Sequence, residues 1–280
     1  MADKAIRTRP SIPRAVPLLH GIFAASLIAS SALTAGCEPG RDTVSHSSAK
    51  PELGLMTSLP IYWQESEEFG DILEPDAEPS WVRNALEQTH QLRPLDNLSE
   101  VELAPLDRLL LAQPRALSPE ENVALDEWVR GGGKLLLFAD PLLTQHSRFA
   151  LGDARAPQSV ALLSPILARW GLALIFSEVQ HEGIHTARMF GVDAPINLAG
   201  SFMAVPTDAD AACDVAENGL TARCAIGRGQ VMLIADAAML EGEWHAGHAG
   251  HHHEGEESGE HDAEAALAHL VDLAFSKQAE

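Results

Sequence analysis

Three groups of residues in this chain have types and spacings that could do chemistry. The first is HEGIH, residues 181–185. It fits the H-E-x-x-H pattern, in which two histidines one helical turn apart bind zinc and the glutamate acts as general base. That chemistry needs a helix. Gly183 interrupts the motif at a cost of about 1 kcal/mol against alanine, and Val179, Ile184 and Thr186 are β-branched. The stretch reads as two extended arms around a Glu182–Gly183 turn, a geometry that keeps His181 and His185 from sharing one metal. The second group is the segment 243–265, where His245, His248, His251, His252, His253 and His261 are interleaved with glutamates and small spacers. Imidazole and carboxylate on such a loop suit Zn, Cu or Ni in a mobile site. The same composition serves equally well as a solvated acidic insertion.

The third group closes three apolar runs. DRLLLAQP (107–114), GKLLLFADP (133–141) and GQVMLIADA (229–237) each begin polar, continue apolar, and end in Gln113, Asp140 or Asp236. In open α/β sheets, ligands bind in the crevice beyond the carboxyl ends of the strands. An aspartate at that place also caps the following turn. Both uses are open to these residues. No Cys or Ser stands in a G-x-[SC]-x-G elbow, so no catalytic residue is assigned and the chain is expected not to be an enzyme.

The elements that must position these residues follow from hydrophobic pattern. Continuous apolar runs suit strands buried on both faces of a parallel sheet. LGLMTSLP (53–60) fits as a first strand and GLALIF (171–176) as a later one. Between them, SPEENVALDEWVRGGG (118–133) carries an N-cap serine, a proline at the first helical position and a glutamate three residues after the cap. Residues 78–90 and 158–171 are further helices, the second with a kink at Pro165. This alternation predicts a doubly wound α/β fold with a mostly parallel sheet. Cys213 and Cys224 flank a turn at Asn218–Gly219. In an oxidising compartment the pair forms a small disulfide-linked hairpin; two free thiols or a soft-metal pair are the alternatives.

The N-terminus speaks to compartment. Lys4, Arg7, Arg9 and Arg14 precede an apolar run from Ala15 to Leu33, which is the layout of a secretory signal. LTAGC, Leu33 to Cys37, resembles the lipobox of bacterial lipoproteins, which implies lipid on Cys37. Thr34 departs from the commoner aliphatic residue of that pattern, and an ordinary cleavage near Ala35 or Gly36 is the alternative. The expected organisation is a signal peptide (1–36), a flexible tether (37–52), an α/β domain (53–242), the His-rich acidic loop (243–262) and a C-terminal helix (263–277). Removing residues 1–36 takes away four cations and one acid, so the formal net charge of −21 becomes −24. Such a charge argues against nucleic acid or an anionic lipid surface as partner.

The run LDRLLLAQPRALSPEENVALDEWVRGGGKLLLFADPLL (106–143) resembles the core of a GldG-like family, and LGLMTSLPIYW and INLAGSF (196–202) resemble other positions of it. These are auxiliary periplasmic subunits of ABC-type transport systems. The resemblance spans roughly residues 51–240. It implies a glutamine-amidotransferase-like or flavodoxin-like fold, permease and ATPase subunits as partners, and a place on the periplasmic side of a bacterial membrane, inner or outer. Members often carry transmembrane helices, whereas this chain is expected to have only the lipid anchor. Transition-metal binding or buffering through the His-rich loop is the alternative function.

Overall fold

The apolar runs that end in Gln or Asp become neighbouring strands of one sheet. A computed structural model describes residues 49–63, 65, 79–150, 152–181, 183–241 and 256–276. Its first half is β1 (Glu52–Thr57), α1 (Trp81–Thr89), β2 (Gln91–Pro94), α2 (Glu100–Leu103), β3 (Arg108–Ala112), α3 (Pro119–Arg130) and β4 (Lys134–Phe138). Then come α4 (Ser164–Arg169), β5 (Leu172–Ile175), β6 (His185–Met189), β7 (Val192–Ile196), β8 (Ser201–Ala204), β9 (Ala211–Val215), β10 (Thr221–Ile226), β11 (Gly229–Ile234) and α5 (Glu256–Phe275).

The main sheet has seven strands in the order β2-β1-β3-β4-β11-β10-β9. The first five run parallel, and β10 and β9 extend the sheet antiparallel. Leu109–Leu111, Leu135–Phe138 and Val231–Ile234 are buried throughout, because helices cover both faces. α1 packs against α5, which also lies on β4, while α2 and α4 contact α3, which packs on β11. The mostly parallel sheet is the one the continuous apolar runs predict.

Local signals account for the best-defined helix. The Ser118 side chain accepts from the Glu121 N–H, and the Glu121 carboxylate accepts in return from the Ser118 N–H. Arg115 grips the same carboxylate at 2.6 Å and holds it well below the usual range, at about 2. Further along α3, buried Asp126 accepts from Arg130, Arg169 and Trp170 Nε1, which ties α3 to α4. Gly229 opens β11 where any side chain would run into the carbonyl oxygens of Val129 and Gly133. That close approach lets α3 and the turn after it seat against the sheet.

Several expectations need correction. Residues 171–176 are not a strand of the main sheet; β5 pairs antiparallel with β8 in a separate two-stranded sheet. Leu172 is buried, but Ala173 and Leu174 are only partly so and Ile175 is exposed, a half-covered pattern unsuited to the doubly covered place beside β4 that β11 fills. Helix 158–171 shrinks to Ser164–Arg169, and Pro165 lies in its first turn rather than at a kink. The residues before it bond elsewhere: Leu143 N–H donates to the Ser159 carbonyl and Ala161 N–H to the Asp140 carbonyl. The 243–262 loop ends sooner than expected, because α5 already begins at Glu256. Among the described residues no helix is long and apolar enough to cross a membrane.

Candidate functional site

The strand order places β3, β4 and β11 side by side, so Gln113, Asp140 and Asp236 meet at the carboxyl edge of the sheet. All three are buried, with 0, 0 and 1 % of their surface exposed. Gln113 adopts φ 45°, a left-handed conformation a glutamine rarely takes. Its backbone N–H still continues the ladder to the Phe138 carbonyl at 2.9 Å, while the turn aims its amide across at the next strand end. Nε2 donates to the carbonyls of Asp140 (3.0 Å) and Gln158 (2.7 Å), and Oε1 accepts from the Asp140 N–H (2.8 Å). The amide thus joins the end of β3 to the end of β4 and to the segment that crosses above them.

Ser58, just after β1, completes this bridge. Its hydroxyl donates to the Gln113 carbonyl and accepts from the Gln158 N–H at 2.8 Å. Between β1 and β3 the strand order reverses direction, the place where doubly wound sheets hold ligands. Here Ser58, Gln113 and Gln158 close it with protein hydrogen bonds. Neither Ser58 nor Gln158 was singled out from sequence, since nothing in an isolated Ser or Gln marks it as spanning a switch point.

The two aspartates bond chiefly to backbone. Asp140 accepts from the N–H groups of Leu142 (2.8 Å) and Ala237 (3.1 Å). Asp236 accepts from Ala238 (2.7 Å) and Asn197 (3.0 Å). Each therefore caps the turn that follows its own strand and also fastens a second segment. Glu241, beyond the short 3-10 turn Ala238–Leu240, joins them and accepts from the Thr144 hydroxyl at 3.0 Å. Burial pushes Asp140 up to about 6. Burial, with the charges of Asp140 and Glu241, pushes Asp236 well above the ordinary aspartate range. Burial and the Asp140 charge raise Glu241 to about 7 against the Thr144 bond. The arrangement can take up and release protons near neutrality. Its side chains are enclosed rather than lining an open crevice.

Elsewhere, two hollows flank His90 at the opposite, amino edge of the sheet. One of about 440 Å³ is lined by Lys50, Glu87, His90 and Gln91. The other, about 120 Å³, lies between α1 and α5. Burial, then Arg108, holds His90 below its ordinary value.

The remaining sequence candidates are dispersed. HEGIH does not form a helix: Gly183 has φ 100° and His185 opens β6. Glu182 of the expected Glu182–Gly183 turn lies outside the described residues; the arm after it, β6, pairs with β7 across Phe190–Gly191. Both residues of that turn have positive φ. His245, His248, His251, His252 and His253 lie outside the described residues, and His261 falls in the backbone of α5. Among the described residues no three His, Cys, Asp or Glu side chains are placed to hold a metal ion. Cys37 is also outside the described residues. Cys213 and Cys224 stand directly opposite on β9 and β10, Cα atoms 4.0 Å apart, and are joined as a disulfide. Gly219 supplies the positive φ of 71° that their turn requires.

Comparison with solved structures gives distant likenesses. An exo-β-1,4-mannosidase from Opitutaceae bacterium strain TAV5 matches at 15 % identity and a TM-score of 0.43, over 82 % of this chain and 37 % of that one. This chain thus spans little more than a third of the mannosidase. A cytoplasmic protein of Salmonella typhimurium matches at 12 % identity and a TM-score of 0.42, covering 79 % of this chain and 98 % of that one. A ThuA-like protein from Bacteroides uniformis ATCC 8492 matches at 8 % identity and a TM-score of 0.38, covering 84 % and 97 %. No curated protein matches the chain. Residues 50–183, from the lysine before β1 to the glycine of HEGIH, match the model of the family described as an ABC-type uncharacterized transport system, and the match supports an auxiliary protein of such a system.

Proposed function

We propose that the chain is a non-enzymatic, lipid-anchored periplasmic subunit that accompanies an ABC-type transport system as a binding or interaction module. The family match over residues 50–183 carries this reading, since that stretch holds the parallel strands β1 to β4 and the strand ends Gln113 and Asp140. Their use supports it. The side-chain groups that an enzyme on a doubly wound sheet would turn toward substrate are here bonded to backbone. A GldG-like protein on a glutamine-amidotransferase-like or flavodoxin-like sheet would show the same parallel order, β2-β1-β3-β4-β11, with permease and ATPase subunits as partners.

The test is purification of the tagged full-length chain from native membranes. An ABC-type ATPase and its permease should co-elute, and deleting the gene for the chain should lower that system's transport. If neither subunit co-elutes and transport is unchanged, the accessory role fails.

The anchor is tested separately. Cys37→Ser should move the protein from the membrane fraction to the soluble periplasm, or leave it unprocessed with residues 1–36 attached. Unchanged fractionation and unchanged mass would end the lipoprotein reading.

A further inference from the structure

We propose that the hollow between α1 and α5 is a binding site for a small organic ammonium ion with a short apolar body. The two helices pack on each other and supply apolar walls. Leu86 of α1 and Leu267 and Val271 of α5 are buried and form the floor, while Gln88, Ala268 and Asp272 are exposed at the rim. On α5 the lining positions 264, 267, 268, 271 and 272 recur at i, i+3, i+4, i+7 and i+8, a single stripe of the helix. The space is about 120 Å³. A cavity of about 150 Å³ holds one benzene ring, so this one has room for about five heavy atoms.

Charge selects the head group. Two carboxylates, Glu264 and Asp272, line the hollow, and among the described residues no lysine or arginine does. Glu264 accepts from Gln88 Nε2 at 3.1 Å and so ties the helices together. The Asp272 carboxylate has no partner among the described residues, although it stands at the mouth of an apolar space. The cation of the larger neighbouring hollow, Lys50, is engaged with the Glu87 carbonyl.

His90 adds a polar contact without adding a charge. Its ring is shared by both hollows and is 8 % exposed. Nδ1 bonds to Thr89 Oγ1 at 2.8 Å and the ring meets Phe275 edge to face, while Nε2 has no partner among the described residues. Burial, then Arg108, holds His90 below its ordinary value, so the ring is neutral at neutral pH. With Nδ1–H donating to Thr89, Nε2 is an acceptor, which is what an ammonium N–H needs. A neutral apolar solute would leave Nε2 and Asp272 unpaired, and an anion would meet two like charges.

Titration of the full chain with n-butylammonium, followed through the methyl NMR signals of Leu86, Leu267 and Val271, should saturate with a Kd of about 1 mM. n-Butanol should bind about tenfold more weakly, and butyrate should not bind. Asp272→Asn should lower the butylammonium affinity to about that of butanol and leave butanol unchanged. Ala268→Phe, at an exposed helical position, covers the hollow while keeping every charge, and should abolish the response to both. Equal affinity for butylammonium and butanol overturns the ammonium site, as does an affinity unmoved by Asp272→Asn or no saturable response at all. A butylammonium response that survives Ala268→Phe overturns it too, because that is how diffuse attraction to an acidic surface would behave.

Discussion

Alanine in place of Gln113 should lower the unfolding free energy by about 3–5 kcal/mol, which makes this strand-end amide among the most consequential side chains outside the apolar core. The truncation removes three hydrogen bonds. It leaves an N–H and two carbonyls in an enclosed place, and each such orphan costs about 1–3 kcal/mol. The backbone adds a second, separable effect. At φ 45° glycine is relaxed where alanine is strained, so Gln113→Gly should be about 1 kcal/mol less damaging than Gln113→Ala. Gln113→Glu, nearly isosteric, should be worse than a shape argument alone predicts, because its carboxylate would face the Asp140 and Gln158 carbonyls with no proton to donate. Urea unfolding followed by tryptophan fluorescence measures all three. An alanine variant within about 1 kcal/mol of the parent would show that the bridge between β1, β3 and β4 is incidental.

Opening the Cys213–Cys224 disulfide should cost about 3 kcal/mol. The two sulfurs are 11 residues apart in sequence, and closing a loop of that size removes about this much freedom from the unfolded chain. The loss should also be local. β9 is the edge strand of the sheet, bonded on one side to β10 alone. Reduction should therefore expose the β9 amides to exchange well before those of β4 or β11. Peptide mapping of the non-reduced protein should find the peptides of Cys213 and Cys224 joined, and the double serine variant should unfold at a lower urea midpoint. A midpoint unmoved by reductant would mean that the hairpin is held by its strand pairing and the Gly219 turn, with the sulfurs adding nothing.

What could be read from the sequence about this protein is what local signals determine. Four apolar runs became β1, β3, β4 and β11 because a stretch with no polar alternation is best covered on both sides; GLALIF obeyed the same pattern and still became the half-covered β5. Ser118, Pro119 and Glu121 set the start of α3 because a capping box is satisfied within four residues. Cys213 and Cys224 found each other because Asn218–Gly219 turns the chain back within one hairpin. The convergence of Gln113, Asp140 and Asp236 was legible too, since each ends a strand of one parallel set. Their enclosure was not. Only the tertiary structure placed β5 with β8 and paired β6 with β7. It alone brought Ser58, Gln158, Thr144 and Glu241 to the strand ends. Those placements depend on which segment covers which, and burial, which raises the carboxyls, is a property of the cover rather than of the residue. A strand end can be recognised from its own residues; what lies above it is decided by chain from 20 to 100 residues away, where no local pattern reaches.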